Sequence, residues 1–294
     1  MSAIFDRIVA GVLLAALPSN AQAQTQAEPP VLGVAHPWQL WHQTPATSVM
    51  EQLDGFHQML LYIMVAICVL VAGLLAYVLF RFNASRNPTP SRTSHNTLIE
   101  IIWTTVPVII LVIIAIPSFR ILYYMDRTAN PELTLKVTGR QWYWDYEYPD
   151  QGGLSFSSFI IPEEEIKPGQ HRLLEVDRRV VLPVDTNIRI LLTGGDVIHA
   201  WAMPAFGIKM DAIPGHLNET WARIEREGVY YGQCSEICGT AHAYMPVAVE
   251  AVSKERFAQW VEQAKQAASR GEPPPPSAIQ LADLGGPSRR DFKE

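Results

Sequence analysis

Gly232-Gln-Cys234-Ser-Glu236-Ile-Cys238-Gly-Thr-Ala-His242-Ala-Tyr-Met245-Pro246 gathers two thiols, an imidazole and a thioether into one short stretch. These are soft or borderline donors of the kind that suit copper. A second imidazole, His199, stands upstream in Gly195-Asp-Val-Ile-His-Ala-Trp201 and completes a Cys₂His₂Met set. One thiolate with two imidazoles and a weak Met describes a mononuclear blue copper centre. The second cysteine allows another arrangement, in which two thiolates bridge two coppers and each metal keeps one terminal imidazole. Two coppers sharing one hole carry about +3, and two metal-bound thiolates bring the core to about +1. Accepting an electron takes it to about 0, a small change spread over two metals. Two other readings compete. Cys234 and Cys238 could form a disulfide in an exported chain, or the set could hold a structural zinc. Zinc sites rarely recruit methionine, and only the dinuclear copper reading employs all five side chains.

The surroundings of this stretch are β-patterned. Leu133, Leu135 and Val137 alternate with Thr134, Lys136 and Thr138. Further strands are expected at 141–148, 155–161, 172–176, 180–182, 187–193, 199–203, 219–224, 230–232 and 246–252. Pro, Gly and Asp turns punctuate them, as in an all-β sandwich or barrel. Residues 254–268 return to helical spacing, with Phe257, Trp260 and Val261 on one face. The Pro-rich segment 271–294 has too few apolar residues for a core and reads as a mobile tail. It contains no Cys-x-x-Cys-His, so no fused haem c domain is expected there.

Upstream, the chain reads as membrane-anchored. No Asp, Glu, Lys or Arg interrupts Gly55 to Phe80, which exceeds the roughly 20 residues a bilayer core requires. A second span begins near Thr97 and ends near Phe119, interrupted by Pro107 and Pro117, whose freed carbonyls need neighbouring helices. Arg81, Arg86, Arg92 and His95 lie between the spans with no acidic residue, which makes that loop cytoplasmic by the positive-inside rule. Residues 1–23 read as a secretory signal, with an apolar core from Ile8 to Leu17 and an Ala21-Gln-Ala23 cleavage site. Both ends of the mature chain then lie outside, which suits a Gram-negative inner membrane and its periplasm. Residues 24–54 are expected to form an irregular leader ending in a short helix. Trp38 and Trp41 suit an aromatic belt there. The remaining divisions are a two-helix hairpin at 55–120 and an external β domain at 121–270.

Composition agrees with this division. Of 294 residues, 48% are hydrophobic and 18% charged, high apolar content for a fully soluble protein. A net charge of −6 argues against a nucleic-acid partner. Three cysteines are too few for a disulfide framework, and Cys68 sits in an apolar run as a small hydrophobe.

Cys-Ser-Glu-Ile-Cys-Gly-x-x-His-x-x-Met-Pro resembles the CuA motif of subunit II of haem-copper cytochrome c oxidases. Gly139-Arg-Gln-Trp142-Tyr-Trp144-Asp-Tyr-Glu147-Tyr and Asp196-Val-Ile-His199-Ala-Trp201 resemble two further blocks of that family. The resemblance runs from the first span to about residue 262. It implies a cupredoxin-like sandwich and an electron-input subunit that takes electrons from cytochrome c and passes them to haem A in subunit I. Cys234 and Cys238 would bridge two coppers, His199 and His242 would terminate them, and Met245 and the Glu236 carbonyl would be weak axial ligands. The Glu236 side chain would ligate Mg or Mn at the boundary with subunit I. Trp142 would be the electron-entry residue and Glu100 the mouth of a proton pathway. Subunits I and III, cytochrome c and the lipid bilayer are the partners implied.

A basic cytochrome c would be steered towards an acidic domain. Asp126 to Arg270 holds 20 acidic against 15 basic residues, net −5, and Glu147, Asp177 and Asp196 are the docking candidates nearest the ligand blocks. Three positions depart from the common pattern: Arg140 where His is frequent, Ala200 where Ser is frequent, and His216 where Arg is usual. A quinol oxidase subunit would lack the ligands. A copper-delivery module would need neither Trp142 nor a Mg-directed Glu236. A nitrous oxide reductase domain is not expected behind two membrane helices.

Overall fold

The computed structural model describes residues 31–127 and 130–278, so the expected signal segment lies outside the described residues. Two helices precede a β-sandwich. Helix α1 is Ser48–Arg81 and helix α2 is Thr97–Met125, and both expose apolar side chains along most of their length. Helices this long and apolar with no buried central window suit lipid rather than a soluble core. Thr47 caps α1 by accepting from the Met50 N–H, and Asn96 caps α2 by accepting from the N–H groups of Leu98 and Ile99. The first helix therefore begins seven residues before the expected span. The short helix of the leader and the membrane helix are one element.

Ten of the strands, with a short N-terminal one, form two facing sheets. The first holds β2 (Leu133–Arg140), β3 (Tyr143–Tyr148), β4 (Leu154–Ser158), β6 (Ile188–Gly194) and β9 (Asn218–Ala222), in the order β4-β3-β2-β6-β9. The second holds β5 (Val180–Pro183), β7 (His199–Met203), β8 (Ile208–Ala212), β10 (Gly228–Cys234) and β11 (Pro246–Val252), in the order β5-β11-β10-β7-β8. The short β1 (Val31–Gly33) runs parallel to β10 and fills the edge that β7 leaves open. The alternation read at Leu133, Leu135 and Val137 puts those side chains in the core and their neighbours towards solvent. Trp144, Trp201, Tyr146 and Tyr148 fill the space between sheets. The buried Tyr148 hydroxyl donates to the Val181 carbonyl at 2.9 Å and accepts from the Val181 N–H at 3.1 Å, so its polar tip is satisfied.

Helix α3 (Lys254–Ser269) closes one end, burying Phe257, Trp260, Val261, Ala264 and Ala267. Its cap is Ser253, whose hydroxyl accepts from the Arg256 N–H at 3.2 Å. Ser253→Ala is expected to lower stability by about 1 kcal/mol, read as a drop in chemical-denaturation midpoint.

Three expectations differ from the structure. Residues 172–176 are turned rather than extended, making only an isolated bridge from Val176 to Ile160, and Leu173 adopts φ 66°. Strands β1 and β8 were not expected. The segment after Gly271 does not leave the domain at once: Trp260 Nε1 donates to the Pro275 carbonyl at 3.3 Å, Arg179 N to the Pro276 carbonyl at 2.9 Å, and the Ser277 hydroxyl to Glu250. The rest of the expected tail, 279–294, lies outside the described residues.

The sandwich and the two helices are tied together where α1 begins and α2 ends. Thr47 Oγ1 donates to the Phe206 carbonyl at 2.8 Å, Ser48 Oγ meets the Tyr124 hydroxyl at 2.9 Å, and Trp221 Nε1 donates to the Tyr124 carbonyl at 3.3 Å.

Candidate metal centre

Four chain segments meet at the end of the second sheet near the β2–β3 turn. Cys234 is the last residue of β10, and His199 the first of β7, the strand beside it. Cys238 follows in a loop that turns at Gly239, φ +121°, a conformation suited to glycine. His242 opens a short 3₁₀ turn, and Met245 stands immediately before β11. His199 lies against Gly139 so closely that a Cβ there would come within 2.8 Å of the imidazole. A glycine at 139 is therefore what leaves room for that ring.

The side chains converge. The Cys234 and Cys238 sulfurs lie 3.9 Å apart and both are free thiols. A disulfide needs about 2.05 Å. Two sulfurs at this spacing can share one ion through metal–sulfur bonds of about 2.3 Å. Cys234 Sγ lies 4.0 Å from His199 Nδ1 and 3.4 Å from the Glu236 carbonyl oxygen. Cys238 Sγ lies 3.5 Å from His242 Nδ1 and 3.5 Å from Met245 Sδ. Exposure is 0% at His199, 6% at Cys234, 3% at Cys238 and 2% at Met245. All five side chains and the carbonyl that the sequence assigned to copper thus come together, with donor chemistry that fits it. The ligand atoms of His199, Cys234 and Cys238 all fall within 4.8 Å of one another.

Electrostatics favour ionisation at one sulfur first. Burial pushes the Cys234 thiol up, but hydrogen bonding with His199 and to backbone groups at Ala200 and Glu236 outweighs it and brings it down to about 6. Burial pushes the Cys238 thiol up, and the neighbouring Cys234 charge pushes it further, to about 12. A cation lowers the cost of ionising the second thiol, because two adjacent thiolates need positive charge between them.

Around this cluster lies a layer of hydrogen-bonding side chains. Asp196 accepts from His199 Nε2 at 2.9 Å, from the Gln141 N–H at 2.7 Å and from the Val197 N–H at 2.6 Å. A carboxylate only accepts, so Nε2 carries the proton and Nδ1 is left facing the sulfur. Asp196 is one of the acidic docking candidates by its charge. Its three-residue spacing from His199 was the overlooked signal for this contact. Gln141 Nε2 and Trp142 Nε1 both donate to the Cys238 carbonyl, at 2.8 Å and 3.3 Å. Trp144 Nε1 donates to the Met245 carbonyl at 3.2 Å.

Other candidates lie further off. Glu147 pairs with Lys136 at 3.0 Å. Asp177 pairs with Arg178 and accepts from the Phe159 N–H, beneath the exposed Phe159 ring that stacks on Tyr143. Glu236 is half-buried beside the exposed Ile237, and Glu100 lies in the first turn of α2, away from the cluster. Of the three departures, Arg140 pairs with Asp145 at 2.6 Å, Ala200 is buried, and His216 is exposed.

Two family models match the chain. Residues 35–121 match the transmembrane domain of cytochrome c oxidase subunit II, and residues 133–252 match its periplasmic domain. A probable cytochrome c oxidase subunit 2 of Rickettsia felis is 54% identical over 238 residues, covering 81% of this chain and 76% of the relative. The chain belongs to the cytochrome c oxidase subunit II family. The subunit 2 of Cyanidium caldarium is 48% identical over 233 residues, 78% of this chain and 91% of that one. A crystal structure of the periplasmic domain of subunit II from Bradyrhizobium japonicum is 51% identical, covering 48% of this chain and 98% of that one at a TM-score of 0.45. In a subunit II, the cluster built by Cys234, Cys238 and His199 is a CuA-type site, and the apolar hairpin is a membrane anchor.

Proposed function

We propose that this chain is the electron-input subunit of a proton-pumping cytochrome c oxidase, held in a bacterial inner membrane with its sandwich in the periplasm. The observation that carries this reading is the convergence of two free thiols, two imidazoles and a thioether on one buried point. Cys234, Cys238, His199, His242, Met245 and the Glu236 carbonyl would hold two coppers. When bound, the copper pair supplies a one-electron carrier whose charge change is shared between two metals.

The remaining roles belong to the chain's own residues. Trp142 is half-buried, with its Nε1 on the Cys238 carbonyl. It would receive the electron from cytochrome c and bring it within one hydrogen bond of a ligand residue. Asp177, under the exposed Tyr143–Phe159 pair, and Glu147 would steer a basic donor to this face. The Glu236 side chain would hold Mg or Mn against subunit I. Glu100, at the inner end of α2, would receive protons for subunit I, where oxygen is reduced at haem. Subunit III is a further partner.

The test is metal analysis with EPR on the purified oxidase. Two coppers in this subunit and a mixed-valence signal are expected. A single zinc with no such signal, or a Cys234–Cys238 disulfide in the active complex, would refute the reading.

A further inference from the structure

We infer that residues 273–277 are a strap that locks the 171–179 loop onto the sandwich and, through that loop, steadies the exposed Phe159 ring. That this ring meets the electron donor rests on the function proposed above; the hold on the loop does not. Strand β4 ends at Ser158, and from there the chain leans on the loop. The Phe159 N–H donates to Asp177 Oδ1 at 2.7 Å, and its carbonyl accepts from the Asp177 N–H at 2.9 Å. The Ser158 hydroxyl donates to the Arg178 carbonyl at 2.7 Å, and the Ile161 N–H to the Glu175 carbonyl at 3.0 Å. The ring held in this way stacks on Tyr143, next in sequence to Trp142, with centroids 4.6 Å apart.

The loop is gripped from its other side by the strap. The Arg179 N–H donates to the Pro276 carbonyl at 2.9 Å, Trp260 Nε1 to the Pro275 carbonyl at 3.3 Å, and the Ser277 hydroxyl to Glu250. Pro274 and Ser277 are themselves buried. Beneath them lies a charge cluster that the copper chemistry does not use. Glu175 and Glu250 are buried, and Arg179 bonds Glu175 through Nε at 2.9 Å and Nη2 at 2.8 Å while its Nη1 stands 3.9 Å from Glu250. The Tyr231 hydroxyl adds a hydrogen bond to Glu175 at 2.7 Å. Two buried carboxylates share one guanidinium, so a neutral donor at the second is stabilising. Ser277 brings that donor from the strap.

Proline suits the position. Strand β5, which starts beside Arg179, is the last strand of its sheet, and among the described residues no strand pairs with its outer edge. Such an edge invites pairing with other chains. The run Pro273–Pro276 carries carbonyls and no N–H groups. It can accept from Arg179 at the edge without offering a new ladder of its own.

The experiment compares purified oxidase whose subunit II ends at Glu272 with one ending at Ala278. Ending at Glu272 spares the close of α3, where the Gly271 and Glu272 N–H groups bond the Ala268 and Ala267 carbonyls. In the shorter chain, hydrogen exchange at the amides of Phe159, Ile161, Asp177 and Arg179 is expected to speed up by about 10-fold or more, the scale of losing two or three hydrogen bonds. Trypsin should cut between Arg178 and Arg179 sooner. The KM for cytochrome c should rise severalfold, with kcat and the mixed-valence EPR signal unchanged. The chain ending at Ala278 should match the parent in every respect. Ser277→Asp sets a third carboxylate against Glu250, should expel the strap with the same consequences, and carries the test if the shorter chain fails to assemble. Unchanged exchange and cleavage without the strap would overturn the inference, as would equal loosening in the chain ending at Ala278. Faster exchange with an unchanged KM would uphold the hold on the loop and refute the Tyr143–Phe159 pair as a docking face.

Discussion

Cys238→Ser is expected to abolish the mixed-valence copper signal and to lower cytochrome c oxidation by at least about 100-fold, since even an outer-shell contact costs roughly 10–100-fold. Cys238 is the hub of the cluster. Its sulfur lies within 3.9 Å of the other thiol and 3.5 Å of both His242 Nδ1 and Met245 Sδ. A serine oxygen in its place is hard, is protonated at neutral pH, and cannot bridge two soft metal ions. The fold should tolerate the change, because serine is smaller than cysteine and the loop stays pinned by Gln141 and Trp142 at the Cys238 carbonyl. Copper per complex, EPR and steady-state turnover read the outcome together. A surviving mixed-valence spectrum would show that Cys234 alone can organise the pair, and the two-thiolate bridge would be abandoned.

Trp142→Phe separates entry from storage. The indole N–H donates to the Cys238 carbonyl at 3.3 Å, while Gln141 holds the same oxygen independently at 2.8 Å. Phenylalanine removes one donor and shortens the ring, yet leaves every copper ligand in place. Copper content and EPR should match the parent. Pre-steady-state electron entry from cytochrome c should slow by about 100-fold, the scale on which a misplacement of about 1 Å acts. Binding of cytochrome c should be little changed, because the acidic residues that attract it remain. An entry rate within twofold of the parent would move the portal elsewhere, with the Tyr143–Phe159 stack as the next surface to probe.

Much of this could be read from the residues, and for identifiable reasons. Ligand chemistry is local: four donors fall within one loop, and only His199 must be brought from elsewhere. The hairpin is equally legible, since uninterrupted apolar runs admit few alternatives. Pairing that depends on a distant partner was harder. Strand β8, Ile208-Lys-Met-Asp-Ala, alternates too weakly to announce itself, and β1 exists because β10 offers it an open edge. Leu173-Leu-Glu-Val looks extended, but Glu175 turns inward to a bidentate pair with Arg179 and a hydrogen bond from the Tyr231 hydroxyl. The Pro-rich end was read by composition, whereas its anchors, Trp260, Arg179 and Glu250, lie elsewhere in the chain. Asp196 was legible as a charge and not as a contact. Only the fold shows that its oxygens face inward to His199 and Gln141.

The unbroken first helix has a mechanical consequence. At 34 residues it runs roughly 50 Å, well beyond a bilayer core of about 30 Å. Its surplus emerges as a stiff post whose head is fastened to the sandwich through Thr47 and to the neighbouring helix through Ser48 and Tyr124. The elevation of the redox site above the lipid is consequently set by a count of residues, not by a tether. One residue inserted into the projecting turns would turn Thr47 about 100° away from the Phe206 carbonyl, since a full turn takes 3.6 residues. Assembly with neighbouring subunits would thus act as a gauge of helix length.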